Sequence, residues 1–224
     1  MRLFISISCV LFLFLGCKDT SSTINPEDTT VNDSTFTYIR DNRKYTIVKI
    51  GKQVWMSENL QTTQYNYGKP LRYAPSTEEW IDAANKRQGA WCYYDNDEQK
   101  GKLYNWYAAR SLAPLGWHIP SDWEWYRLSI FLGGEPIAVL KMKSTTGWAS
   151  NENGNNSSGF TALPCGYRDN DGTFHDGGLT GYWWSSSETS GGNIWYRYLG
   201  YDGGDLGGYG SNTGRGFSVR CIRD

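Results

Sequence analysis

The hydrophobic pattern begins with a single apolar run. Residues 3–15 are Leu, Phe, Ile and Val diluted by Ser6, Ser8 and Cys9, after a basic start at Met1-Arg2. The run is too short for a spanning helix. Gly16-Cys17 closes it with small side chains, so residues 1–16 read as an export signal. The pattern then inverts. Residues 18–37 are mostly Thr, Ser, Asp, Asn and Pro, a composition that buries too little surface to offset its ordering entropy. Residues 17–37 are therefore expected to be a disordered tether. About 20 residues of coil reach roughly 25 Å, and about 70 Å when taut. Residues 38–224 carry the periodic patterns and the length of one domain.

Within that domain, Tyr45-Thr46-Ile47-Val48-Lys49-Ile50 is β-branched and strand-like. Gly51-Lys52 suits a two-residue turn into a second strand, Gln53-Val54-Trp55-Met56. Ser76-Thr77-Glu78-Glu79 is a capping box opening a helix to about Lys86. Leu103, Trp106, Tyr107 and Arg110 share one helical face and predict a helix over 103–111. Ser121-Asp122-Trp123-Glu124 is a second capping box. The helix it opens has a buried stripe of Trp125, Leu128 and Leu132 and is ended by Gly133-Gly134. After about Gly147 the chain turns to short strands among Gly, Asn, Ser and Asp. Residues 160–163, 182–185, 194–198 and 217–222 are the strand candidates. Helices early and strands late predict an α+β fold.

Charge narrows the partners. The chain has 22 basic and 23 acidic residues and a net charge of −1. No basic run is present, so nucleic acid is not an expected partner. With 11 Trp, 16 Tyr and 26 Gly, the chain is rich in side chains that bring contact area at low entropic cost. Most Trp before position 150 are expected to be structural. Cys92, Cys165 and Cys221 lie in the mature domain, and three thiols in an oxidising compartment predict one disulfide and one remaining thiol. No Cys/His cluster has zinc spacing, and no metal or cofactor is expected.

Two resemblances add to this. A small residue directly before Cys17 resembles the bacterial lipoprotein signal. That implies lipidation of Cys17, membrane attachment through it and a cell-envelope location, and Lys18-Asp19 after it resembles the export tags of Bacteroides-group surface lipoproteins, which implies the outer membrane and surface exposure. The second rests on ordered motifs: Lys52-Gln53-Val54-Trp55-Met56-Ser57-Glu58-Asn59-Leu60, Gly101-Lys102-Leu103-Tyr104-Asn105-Trp106, Gly116-Trp117-His118-Ile119-Pro120-Ser121-Asp122, Lys143-Ser144-Thr145-Thr146-Gly147-Trp148, Gly159-Phe160-Thr161-Ala162-Leu163-Pro164, Tyr182-Trp183-Trp184-Ser185-Ser186 and Gly216-Phe217-Ser218-Val219-Arg220-Cys221. In this order, from about Lys44 to the end, they resemble the Fibrobacter succinogenes major paralogous domain family. Residues 71–87 look like an insertion. The resemblance implies a C-type lectin-like fold, two helices flanking twisted antiparallel sheets with the domain termini close together. It also implies kinship with formylglycine-generating enzymes and the variable proteins of diversity-generating retroelements.

The candidate binding face is the segment 182–215, where Trp195, Tyr196, Arg197, Tyr198, Tyr201, Asp202, Asp205, Tyr209, Asn212 and Arg215 stand among many Gly. Aromatic faces stack on sugars or apolar side chains, and Arg, Asp and Asn give directional hydrogen bonds. The competing reading is a plain Gly-rich loop with Trp195 and Tyr198 packed inward. Trp183 and Trp184 face opposite ways on a strand, one toward the core and one toward solvent. Asp169-Asn170-Asp171-Gly172 and Asp95-Asn96-Asp97-Glu98 are oxygen-rich but read as turns rather than calcium loops. His118 and His175 are the only histidines, and His118, just before a helix, is expected to be structural. The expected function is a cell-surface lipoprotein that binds a glycan or protein ligand through this face, without enzymatic activity. The alternatives are a structural subunit or spacer of a surface assembly and, behind it, an oxidase-type enzyme using Cys165 and Cys221.

Overall fold

The computed structural model describes residues 29–31, 34–202, 204 and 206–224. The expected export signal, Cys17, most of the expected tether and Asp205 lie outside the described residues. The elements in chain order are β1 (Thr29–Val31), β2 (Thr35–Tyr38), β3 (Arg43–Ile50), β4 (Gln53–Met56), β5 (Arg72–Tyr73), α1 (Thr77–Asn85), β6 (Ala90–Tyr93), β7 (Lys102–Asn105), α2 (Trp106–Ala109), β8 (Trp117–His118), α3 (Asp122–Phe131), α4 (Ile137–Met142), β9 (Cys165–Arg168), β10 (Phe174–Gly177), β11 (Thr180–Glu188), β12 (Ile194–Gly200), β13 (Leu206–Ser211), β14 (Gly216–Phe217) and β15 (Ile222–Arg223). Among the described residues these strands form two sheets, ordered β1-β2-β3-β4-β15-β8 and β13-β12-β11-β9-β14-β7-β6-β5, with β10 paired to β9. The fold is α+β, mostly sheet with a few short helices.

The local signals that agree with the sequence have clear causes. Ile50 pairs with Gln53 across Gly51-Lys52, and Gly51 takes φ +63°, a conformation cheap only for glycine. Both capping boxes form, Ser76 with Glu79 and Ser121 with Glu124. Trp125, Leu128 and Leu132 are buried under α3.

Other expectations are corrected. The folded part begins before Tyr38: β2 pairs with β3, and Phe36 is buried between Tyr45 and Trp117. Residues 35–37, expected as tether, therefore belong to the folded part. The helix expected over 103–111 is a strand followed by one helical turn. Leu103 and Tyr104 pair with Cys92 and Trp91 of β6, and Asn105 caps α2 by accepting from the Ala108 amide at 3.0 Å. Sheet pairing outweighs the helical spacing there. Residues 160–163 do not form a ladder strand. Thr161 sits at φ +54° and only Ala162 bridges to Lys143. The run 217–222 is split, with Gly216–Phe217 in one sheet and Ile222–Arg223 in the other. Residues 71–87, whether or not inserted, are folded onto the sheet, with Trp80 fully buried. Cys92, Cys165 and Cys221 are all free thiols. Cys92 packs with Trp80 and Leu103 while Cys221 sits in the main core, so each fills a separate apolar site. Burial pushes the Cys92 thiol up to about 11. Trp183 and Trp184 do face opposite ways, but both are fully buried, each in its own core on either side of β11.

The two sheets are tied where the chain crosses between them. Arg220 is fully buried in that crossing. Its Nε and Nη2 donate to Asn59 Oδ1 at 3.1 and 2.6 Å, and Nη1 donates to the Met56 carbonyl at 3.2 Å and to the Phe160 carbonyl. The guanidinium lies 4.4 Å from the centre of the Phe160 ring. Asn59 extends the network, accepting from Trp183 Nε1 at 2.9 Å and donating to Ser218 Oγ at 3.1 Å. A smaller clasp lies at the edge. His118 bonds Glu124 through Nε2 at 2.8 Å and Asp224 through Nδ1 at 2.6 Å, joining β8, α3 and the end of the chain.

Two predictions follow from these contacts. Replacing Arg220 with Met strands Asn59 and several buried carbonyls, and is expected to cost about 3–5 kcal/mol in urea unfolding. Lys at 220, with a point charge in place of a planar fork, should recover less than half of that. A loss below about 1 kcal/mol in Arg220→Met would refute the role. The second concerns pH. Burial opposes charge on His118, but its bonds to Asp224 and Glu124 outweigh burial and raise its pKa above 6.5. Glu124 is partly buried, yet its bonds to Ser121 and His118 hold it below 4.5. A raised histidine stabilises fully below 6.5 and loses that effect as pH climbs through its folded value. A lowered carboxylate stabilises fully above 4.5 and loses it as pH falls. The clasp is thus strongest between those limits, and its worth is under about 1 kcal/mol because it is partly exposed. His118→Gln should remove the decline in urea midpoint above about pH 6.5 that the wild type shows. A decline of equal slope in both would count against the clasp.

Candidate functional site

Strand β12 splits the predicted face in two. Successive side chains on a strand alternate between faces, so Tyr196 and Tyr198 point one way and Trp195 and Arg197 the other. The register completes the first group. Tyr198 lies between Tyr182 of β11 and Gly207 of β13, and Tyr196 lies between Trp184 and Tyr209. Tyr167 of β9 adds its ring, 4.9 Å from Tyr182. Five tyrosines, 167, 182, 196, 198 and 209, thus share one sheet face, with neighbouring centroids 4.9–6.5 Å apart. Phe217 underlies them, 4.7 Å from Tyr196 and 5.6 Å from Tyr182.

The rings lie where they do because of glycine. A Cβ on Gly207 would stand 2.2 Å from Tyr198 Cζ, so Tyr198 can lie across β13 only while position 207 has no side chain. Tyr198 and Tyr209 are stacked with an interplanar angle of 8°. Tyr209, 62% exposed, is the most open of the five, and the other four are half-buried.

Polar groups rim the rings and are mutually paired. Arg215 grips Asp169 with Nε–Oδ1 and Nη2–Oδ2 both at 3.1 Å, and lies 5.6 Å from the Tyr167 centroid. Burial opposes the Arg215 charge, and Asp169 more than offsets it, raising its pKa. Tyr182 donates its hydroxyl to Asp176 at 2.6 Å. His175 stacks on Tyr167 at 5.0 Å and meets Thr173 Oγ1 at 2.7 Å through Nε2. Burial is the leading cause that raises the pKa of Tyr167, Tyr182 and Tyr196, so these hydroxyls stay protonated and able to donate at neutral pH. The assembly is a broad aromatic surface with fixed hydrogen-bonding groups at its border. It suits stacking on a flat, partly apolar ligand.

The structure brings together Tyr196, Tyr198, Tyr209 and Arg215 of the predicted set. It separates the other described members, Trp195, Arg197, Tyr201, Asp202 and Asn212. Trp195 is on the reverse face, as is Arg197, which bonds Asp122 Oδ1 of α3 through Nε at 2.8 Å and the Leu206 carbonyl at 3.2 Å. Arg197 is therefore a strut between helix and sheet. Tyr201 and Asp202 are exposed beyond the end of β12, where the Tyr201 carbonyl accepts from Lys143 Nζ at 3.0 Å. Asn212 shapes the turn after β13 by accepting from the Gly214 amide at 3.0 Å. Sequence reasoning missed Tyr167, Tyr182, Asp169, Asp176 and His175 as site residues. Asp169 and Asp171 do lie in the expected turn between β9 and β10, Asp169 held by Arg215 and Asp171 by Thr173.

Cys165 lines a separate cleft of about 480 Å³ with Tyr94, Gln99, Lys100 and Leu163. Burial raises its pKa, and Asn59 Nδ2 lies 3.6 Å from its Sγ. Among the described residues no three His, Cys, Asp or Glu side chains converge as a metal site would require, and no helix is long and apolar enough to cross a membrane.

No curated protein and no solved structure matches the chain. The sequence pattern of the Fibrobacter succinogenes major domain does match, over residues 48–223, which takes in the second sheet, the first sheet from the end of β3 onward, α3 and the tyrosine face. The chain therefore belongs to the Fibrobacter succinogenes major domain family.

Proposed function

We propose that this protein is a lipid-anchored protein of the bacterial cell envelope whose domain, of C-type lectin-like type, binds a glycan or protein ligand through its tyrosine face. The observation that carries the reading is the set of five tyrosines on one side of the β11–β12–β13 sheet. Tyr and Gly dominate recognition surfaces because the ring brings area and a hydroxyl with few rotors to immobilise. The ring planes supply stacking, and Arg215, Asp169 and Asp176 supply direction. The lipoprotein part is supported by the apolar run, Gly16-Cys17 and the polar segment after them. The lectin-like part is supported by the pairing of β15 with β4, which joins the two ends of the domain in one sheet. The site is read as binding rather than catalytic, because Arg215 and Asp169 are paired with each other and Asp176 accepts from the Tyr182 hydroxyl.

The test is a glycan and surface-protein array probed with the mature chain. Tyr198→Ala with Tyr209→Ala is expected to lower binding by at least about tenfold, since each stacked ring is worth about 0.5–1.5 kcal/mol beyond its buried area. Trp195→Ala, on the other face, should leave binding within about twofold. Loss in Trp195→Ala with none in the tyrosine variant would overturn the siting. Gly207→Val is expected to act like Tyr198→Ala while all five tyrosines remain, because the new side chain takes the space of the Tyr198 ring. Full binding in Gly207→Val would show that the ring's flat placement is not what the ligand uses.

A further inference from the structure

Helix α3 is apolar on both sides. Its inner side buries Trp125 and Leu128, while its outer side leaves Trp123, Tyr126, Ile130 and Phe131 open at 63, 47, 55 and 62%. Trp123 and Tyr126 stack at 5.2 Å. Phe131 is beside the β3–β4 turn, where a Cβ on Gly51 would meet its ring at 2.8 Å. Together they form one wall of a groove of about 700 Å³ whose other wall is the β3–β4 hairpin. Ile137 and Leu140 of α4, about half exposed, continue the apolar surface. A contiguous patch of this kind marks a docking surface more often than an idle one.

We propose that this face docks onto a bilayer carrying anionic lipid. Three observations favour lipid over another occupant. Lys49, Lys52 and Arg127 line the groove and no acidic residue does. In a chain of net charge −1 that is a local excess of positive charge, complementary to anionic headgroups. The open side chains include Trp and Tyr, whose apolar bodies and polar tips settle at the headgroup level. Chain length also allows it. Thr29 pairs at the Tyr38–Arg43 end of the first sheet, about 23 Å along β3 from the Ile50 turn. The 12 residues from Cys17 to Thr29 can extend about 40 Å. The lipidated Cys17 of the proposed function and the α3 face can therefore touch the same membrane, and this part of the argument rests on that reading. The orientation that results is useful. α3 covers the side of β11 and β12 that carries Trp183 and Arg197, so docking through α3 turns the tyrosine face away from the bilayer.

The experiment is co-sedimentation of the mature chain carrying Cys17→Ser, and so lacking an acyl chain, with vesicles of phosphatidylcholine alone or mixed with phosphatidylglycerol. Binding is expected on the mixed vesicles, weaker on phosphatidylcholine and at raised salt. Trp123→Ser with Phe131→Ser should weaken it by at least about tenfold. Lys49→Glu with Lys52→Glu should weaken it on anionic vesicles only. All four residues are at the surface, and matched urea midpoints confirm that the variants fold. Absence of binding to the mixed vesicles, equal binding by the Trp123/Phe131 variant, or a solution dimer that this variant disperses would each overturn the proposal, the last by naming a second copy as the occupant. Tyr198→Ala with Tyr209→Ala should leave vesicle binding unchanged, and failure of fatty-acid labelling at Cys17 in cells would remove the anchor without touching the vesicle result. The two readings therefore fail separately.

Discussion

A positive charge without a carboxylate holds the centre of this molecule. Arg220 is fully buried where the chain leaves one sheet for the other, and its partners are the Asn59 side chain and backbone carbonyls. Those acceptors come from the end of β4, from the segment after it and from the irregular stretch around Phe160. The positive φ at Thr161 accompanies carbonyls at 160 and 161 that turn inward to Arg220. Burial by itself lowers the proton affinity of the group, and the convergence of carbonyl dipoles is what keeps it charged in an apolar surround.

The same crossing explains why part of the fold was readable and part was not. The hairpin at Gly51 and the two capping boxes are local devices, complete within a few residues, and the chain carries them openly. Residues 217–222 look like one strand because every side chain from Phe217 to Ile222 is buried. That uniform burial instead reflects passage between two cores, and period-2 reasoning has no means of detecting a change of sheet. Leu103 misled for the opposite reason: its helical spacing to Trp106 and Arg110 is real, but the pairing of β7 with β6 and β14 takes Leu103 and Tyr104 first. The cysteine arithmetic failed because a count of thiols says nothing about whether two of them meet, and these three serve as small apolar fillers or cleft lining.

The proposed binding face was half legible. Tyr196, Tyr198, Tyr209 and Arg215 were found from composition. The alternation along residues 194–198 already carried the information that Trp195 and Arg197 belong to the other side. Tyr167 and Tyr182 could not be added without the register of four strands, two of which, β9 and β11, meet as parallel neighbours across a loop of the chain. Asp169 was read as part of a turn, which it is. Its second role, gripping Arg215 from 46 residues away, is a tertiary fact.

The pairing of tyrosines with glycines across β12 and β13 has a consequence for change over time. Gly207 and Gly208 stand directly across from Tyr198 and Arg197, so the outer strand meets the side chain at 198 only through the neighbouring Tyr209. Tyr209 is largely in solvent, while the buried residues beneath, Trp184, Ile194 and Phe217, belong to the main core. Tyr198 and Tyr209 of the proposed face thus stand outside the core cluster that the same three strands help to build. A new side chain at 198 or 209 alters what the surface offers while the packing below keeps its shape, which makes this face the part of the molecule that mutation can rewrite at least cost to the rest.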